Sequence, residues 1–317
     1  MRKLTVFLLP FFLSLPLAVL AFDPPSEDVR REAIGDLRQL PLRFQRAFAI
    51  DAPGFYPIAA PGPEDWLAHQ HEDGQTFSAF RASQPNRPTA RQRTIYLQPM
   101  GDFPADQSPS IEKLRTYAEA FFFLDVKILP PLAIEAGKFS PRKNPITGNP
   151  QILSGDVLTY LKGRVPADAY CVLGVTMQDL YPQKTWNFVF GQASLRDRVG
   201  IYSFARYSTA FLGIAPHPEE AGIIFQRSCK VLTHETGHMF GLAHCIYYEC
   251  VMNGTNHLGE TDSRPMHLCP VCLRKLQWSI GFDVAARYEA LQKAERETGL
   301  ADEAEWTTRQ LQFLNEK

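Results

Sequence analysis

The chain has no excess of charge of either sign. Its 33 lysines and arginines stand against 34 aspartates and glutamates, for a net charge of −1 over 317 residues. No basic surplus points to nucleic acid, and no long block of like charge forms an interaction tail. Internal repeats and low-complexity segments are also lacking, which excludes a solenoid or a compositionally disordered scaffold. What remains, with 45% hydrophobic residues, suits a globular protein of one medium-sized domain with small appendages. Proline, by contrast, is abundant. The 25 prolines gather at 53–63, 85–107, 130–150 and 215–218, stretches that read as loops.

The first twenty-one residues differ in character from the rest. Arg2 and Lys3 precede an apolar run from Leu4 to Leu20, and Val19 and Ala21 match a small-residue cleavage pattern before Phe22. This predicts a secretory signal peptide over residues 1–21 and an exported, periplasmic or extracellular protein. The alternative is an uncleaved segment that tethers the chain to a membrane. Pro10 and Pro16 interrupt the run and no charged stop-transfer flank follows, so cleavage without a stable membrane anchor is favoured. No cysteine lies near the junction to carry a lipid.

The densest chemistry lies in His234–His244, HETGHMFGLAH, which reads H-E-x-x-H-x-x-G-x-x-H. Histidines four apart fall on one face of a helix of ~3.6 residues per turn, one above the other. His234 and His238 can therefore share one metal ion, with Glu235 beside them as a general base. Gly241 can take positive φ, so the helix can stop there and the chain return with His244 as third ligand. Three protein ligands leave one position of a tetrahedral zinc for water, the arrangement of a catalytic site. A bare H-E-x-x-H is frequent by chance, but the longer pattern fixes five positions, one a glycine. Pro218 suits the first helical position, Glu219 and Glu220 the first turn, and Ile223, Ile224, Val231 and Leu232 a core-facing stripe. The predicted reaction is peptide-bond hydrolysis without a covalent intermediate: zinc brings the pKa of its water towards ~7 and Glu235 carries the proton to the leaving amine.

A second constellation follows at once. Cys245 and Cys250, then Cys269 and Cys272 in CPVC, suit a closed four-thiolate zinc site that braces the active centre. Two disulfides or free buried thiols are the alternatives, and spacing does not select among the disulfide pairings. An oxidising compartment favours disulfides, which sets export in tension with thiolate ligation. Taken alone, Met252 in CVMNG is an ordinary core methionine.

The run HCIYYECVMNGTNHLGETDSRPMHLCPVCLRKLQ resembles the metzincin clan, and within it the archaemetzincin (archaelysin) family. The similarity is strongest over 231–281 and extends back to TIYLQPMGDF and NFVFGQA. It implies His234, His238 and His244 as catalytic zinc ligands, Glu235 as base, a second zinc at Cys245, Cys250, Cys269 and Cys272, and Met252 in a methionine turn beneath the catalytic metal. It implies an α/β (α+β) fold: a metzincin-like catalytic domain with a mixed twisted sheet, an active-site helix and a small zinc-braced C-terminal subdomain. Glu260, Asp262 and Arg264 are read as local ion pairs that hold the loop.

Residues 22–91 are read as an irregular N-terminal segment and cap, with one short helix within Glu27–Phe48 and with loop histidines His69 and His71. The catalytic domain is placed at 92–317. Strands are expected at Thr94–Leu97, Val126–Leu129, Ala169–Thr176, Asn187–Ala193 and Val199–Tyr202. Helices are expected at Ile111–Phe123 and Gln151–Leu161, and at 283–297 and 301–315 near the C-terminus. Residues 187–193 are the expected cleft-edge strand, against which an extended substrate could pair. Cys171 and Cys229 read as buried structural thiols, His217 and His257 as loop residues, and His267 as the start of a C-terminal helix. The sequence thus predicts a monomeric zinc metallopeptidase acting on peptides or proteins. Rival readings are an aminopeptidase that trims short peptides and a non-catalytic zinc-bound binding module.

Overall fold

The computed structural model describes residues 22–316 other than Asp106, Ala136, Leu195 and 216–218. The expected signal segment, Pro218 and His217 lie outside the described residues. Four short helices open the chain: α1 (Glu27–Ile34), α2 (Leu42–Ala47), α3 (Trp66–His69) and α4 (Phe77–Ala82). The lead-in therefore holds two helices, where one was expected within Glu27–Phe48. Ser26 caps α1 and Thr76 caps α4 through side-chain oxygens that accept from the first turn.

The sheet follows. Its strands are β1 (Thr94–Met100) and, after α5 (Ile111–Phe122), β2 (Val126–Ile128). Next come β3 (Pro141–Lys143), β4 (Pro150–Leu153), α6 (Ser154–Lys162), β5 (Ala169–Thr176), β6 (Asp179–Tyr181), β7 (Gly191–Ala193) and β8 (Val199–Ser203). The main sheet has the order β2-β1-β5-β8-β7, with β2, β1, β5 and β8 parallel and β7 antiparallel on the edge. A small sheet, β3-β4-β6, stands beside it. The first residues of the expected helix at Gln151–Leu161 are thus strand. Gln151–Leu153 pair with Asp179–Tyr181, and the helix begins only at Ser154.

β1 and β5 are buried along their whole length, which is what near-continuous apolar runs signify in a parallel sheet covered on both faces. Side chains alternate between two cores. Cys171, Leu173 and Val175 of β5 face the larger core with α5, while Val172 joins Val157 and Leu161 of α6 on the other side. The larger core also takes Ile224, Cys229, Leu232 and Met239 from the twenty-residue helix α7 (Glu220–Met239). Cys171 and Cys229 are buried and free, in accord with structural thiols. Ala33, Ile34, Phe48 and Phe80 of the N-terminal helices belong to this same core.

The chain ends in α8 (Leu258–Ser263), α9 (Pro270–Ile280), α10 (Val284–Thr298) and α11 (Ala301–Asn315). The last two match the expected pair to within a residue. Among the described residues no helix is long and apolar enough to cross a membrane. His267 does not begin a helix. It precedes α9, and its ring stacks on Trp306 of α11 at 3.7 Å and 7°.

That packing has a pH consequence. Burial holds His267 down at about 3, against about 6.5 in an unfolded chain. Between these values the unfolded chain binds a proton that the folded one refuses. Stability is therefore complete above about 6.5 and falls as the pH drops through the window. His267→Phe is expected to remove about 3 kcal/mol of the acid-induced loss at a pH of about 4.5, measured by urea unfolding against the wild type. An unchanged pH dependence would refute this role.

Candidate active site

The site is built on the end of α7. Phe240 caps the helix and is clamped between Tyr170 of β5, stacked at 4.2 Å, and Phe122 of α5, stacked at 5.4 Å. The Tyr170 hydroxyl donates to the Met239 carbonyl at 3.0 Å. A fully buried phenylalanine contributes roughly 1.5–3 kcal/mol, so this end of the helix is firmly held. Gly241 then takes φ +82°, and its N–H donates to the His238 carbonyl at 2.8 Å. A Cβ at Gly241 would also lie 2.6 Å from Pro85, so both conformation and packing require glycine there.

The turn carries His244 back to the histidines of α7. Ring centroids of His234, His238 and His244 lie 4.5, 5.2 and 5.1 Å apart, and Nε2 of His234 is 2.9 Å from Nε2 of His238. Each Nδ1 faces an acceptor: the Val251 carbonyl at 2.9 Å for His234, the Leu242 carbonyl at 2.7 Å for His238 and the Glu72 carboxylate at 2.6 Å for His244. A carbonyl or carboxylate can only accept, so the proton of each neutral ring sits on Nδ1 and each Nε2 keeps its lone pair. Three lone pairs turned towards one point repel one another unless a cation lies among them, so this donor set fits a metal ion. Burial, and after it the neighbouring imidazoles, hold His234 well below the ordinary histidine value and His238 at about 4, which keeps both neutral near pH 7.

Glu235 is buried beside them. Burial alone pushes its carboxyl up to about 8, and a nearby divalent cation acts in the opposite direction. Its neighbour is the edge strand: a Cβ at Gly191 of β7 would fall 2.5 Å from Glu235 Oε1. Gly191 was not singled out in the sequence, because nothing local distinguishes a glycine needed for space. Of the expected edge strand 187–193, only Gly191–Ala193 pairs with β8; Val189 makes a single bridge to Leu180. The segment before β7 is tied down from the small sheet. Arg142 and Asn144 donate to the Asn187 carbonyl, and the buried Asp179–Arg206 pair lies behind, at 2.7 Å. Glu235 and the histidines open into a cleft of about 940 Å³ bordered by Trp66, Phe190, Gly191 and Asn256.

The four cysteines form a buried cluster next to this centre. All four Sγ atoms lie within 4.8 Å of one another, Cys245 and Cys269 at 3.6 Å, and all are free. The N–H groups of Met252 and Cys269 point at Cys250 Sγ, at 3.5 and 3.3 Å. Asn253 ties the connecting loop, donating to the Cys245 and Tyr248 carbonyls and accepting from Cys250 N–H. Met252 is fully buried against α7, and a Cβ at Gly237 would meet its sulfur at 2.5 Å. The loop 245–253 therefore touches both clusters, since Val251 within it accepts from His234.

The cap supplies residues that sequence reasoning missed. Gln75 brackets the turn, donating to the Gly241 carbonyl and accepting from Ala243 N–H. Trp66 meets His244 edge-on at 5.3 Å. Glu72 accepts from both His244 and Trp66. Burial alone would raise its pKa, yet the hydrogen bond from His244 holds it below the usual carboxylate value. Of the local pairs expected beyond the methionine, Glu260 with Arg264 forms at 3.2 Å, whereas Asp262 pairs instead with the distant Arg227 of α7 at 2.6 Å. His257 caps α8 and also faces Asp65 at 3.1 Å. His71 is exposed, against Asp73 at 3.0 Å.

Residues 154–278 match the family described as peptidase family M54. Archaemetzincin-2 of Macaca fascicularis is 42% identical over 285 residues, covering 81% of this chain and 78% of the relative. Archaemetzincin-1 of Homo sapiens is 34% identical over 255 residues, covering 72% of this chain and 51% of the relative. A crystal structure of archaemetzincin from Methanopyrus kandleri is similar at 30% identity and a TM-score of 0.47, covering 61% of this chain and 97% of that one. The chain belongs to the archaemetzincin family of zinc metallopeptidases.

Proposed function

We propose that this chain cleaves peptide bonds at the His234–His238–His244 centre, with Glu235 as the general base, and that Cys245, Cys250, Cys269 and Cys272 hold a second, structural zinc. The observation that carries the proposal is the direction of the three imidazoles. Each spends its Nδ1 on an outward acceptor and keeps Nε2 for a shared ion. A zinc ion bound there supplies a Lewis acid that polarises the scissile carbonyl and brings the pKa of a water ligand towards ~7.

The remaining work falls to the chain itself. Glu235 takes the proton of the attacking water and passes it to the departing amine nitrogen, so one carboxylate serves both transfers. Gly191 lets a strand pass within contact of it. Among the described residues, the outer side of β7 carries no further strand in the sheet. An extended peptide laid along it gains main-chain hydrogen bonds and brings its carbonyl beside Glu235. In a peptide-library digest, chelation is expected to reduce cleavage by at least about 100-fold, with recovery on adding zinc, since the water is otherwise poorly activated. Cleavage that survives complete metal removal would refute the proposal.

A further inference from the structure

We infer that Glu72, from the N-terminal cap, is a positioning residue for the catalytic metal: it sets the orientation and donor strength of His244. The inference rests on His244 being a zinc ligand. His234 and His238 project from α7, whose backbone fixes them, and each leans on a neutral carbonyl. His244 lies beyond the helix, on the loop after Gly241, and has no such scaffold. Its restraints come from the cap instead. Glu72 Oε1 accepts from Nδ1 at 2.6 Å, Trp66 packs edge-on, and Gln75 pins the backbone on either side of Leu242.

Glu72 is itself held in a chain of contacts. The same oxygen accepts from Trp66 Nε1 at 2.9 Å, and Trp66 N–H donates to the Glu260 carboxylate at 3.0 Å. Glu260 is buried and also accepts from Asn256 N–H at 2.7 Å. Gly254 leaves the room that Trp66 needs, since a Cβ there would lie 2.5 Å from the indole. The cap is thereby fastened to the loop after the methionine, and its carboxylate arrives at His244 from 172 residues away. A carboxylate on the outer nitrogen makes an imidazole a stronger donor than a carbonyl does, and its charge offsets part of a dication's charge.

The test is the zinc affinity of the histidine centre, measured by competition with a chromophoric chelator on protein whose fold is checked by the melting of the zinc-free form. Glu72→Ala is expected to weaken zinc by about 10–100-fold and Glu72→Gln, which still accepts a hydrogen bond, by about 3–10-fold. The double variant Glu72→Ala/His244→Ala should bind no more weakly than His244→Ala alone, because the carboxylate acts only through that ring. Unchanged affinity in Glu72→Ala, or additive losses in the double variant, would overturn the inference and leave the zinc centre standing. If Glu72→Ala does not fold, the Gln variant decides, and wild-type affinity there overturns the inference. Undiminished affinity in His244→Ala would instead overturn the assignment of the centre itself.

Discussion

Glu235→Ala should lose about three to four orders of magnitude in kcat/KM, roughly 4–5 kcal/mol of transition-state stabilisation, while its zinc content stays at the wild-type level. The two halves of this expectation come from different features. Glu235 makes no contact with the outer nitrogens of the histidines, which are spent on Val251, Leu242 and Glu72, so its removal leaves the metal centre's restraints intact. What disappears is the only carboxylate that the structure buries beside both the centre and β7 among the described residues. Glu235→Gln should behave alike, since an amide keeps the shape but takes no proton. The base must be ionised to act, so wild-type kcat/KM should fall as the pH drops through the pKa of Glu235 in the zinc-loaded enzyme, and that acid limb should vanish from the residual activity of the variant. Equal cleavage by wild type and variant would exclude Glu235 as the base. Loss of zinc in the variant would make it a structural residue instead.

The next largest effect is expected at the cysteines. If the cysteines hold the proposed second zinc, Cys250→Ala should release that ion and cost about 3–5 kcal/mol of stability, less than the binding energy of zinc-finger peptides because this fold has a core of its own. Activity should fall as well. Cys250 flanks the loop that presents the Val251 carbonyl to His234 and seats Met252 against Gly237, so a loosened loop releases the first histidine. Metal analysis and thiol titration distinguish the alternatives. Two zinc ions, with four thiols that become reactive only on chelation, support the structural zinc. One zinc with four oxidised cysteines supports disulfides, a result to which export to an oxidising compartment would lend weight.

Some of this architecture was legible in the residues, and the legible parts share a property. The spacing in HETGHMFGLAH specifies a helix, a stop and a return, each within a few residues. β5 announces itself through an unbroken apolar run that only a doubly covered strand can bury. The C-terminal helices, rich in Glu, Lys and Arg, are legible to within a residue. Gln151–Leu153 misled because three residues carry no period of their own. Their apolar pattern continues into α6, and only pairing with β6 makes them strand. His267 misled in a different way, since its partner Trp306 is 39 residues on.

Local sequence, then, was enough to single out the proposed metal ligands, the proposed general base, the cysteine set and the alternation of strands and helices, because each depends on short-range spacing in a regular backbone. The folded chain alone settled what surrounds them: Glu72 and Trp66 on His244, Gly191 against Glu235, and the Met252 loop between two clusters. Those contacts join residues tens to hundreds of positions apart. A pattern along one segment contains no information about which distant segment will pack on it, and packing is where an acceptor for an imidazole, or room beside a carboxylate, is made.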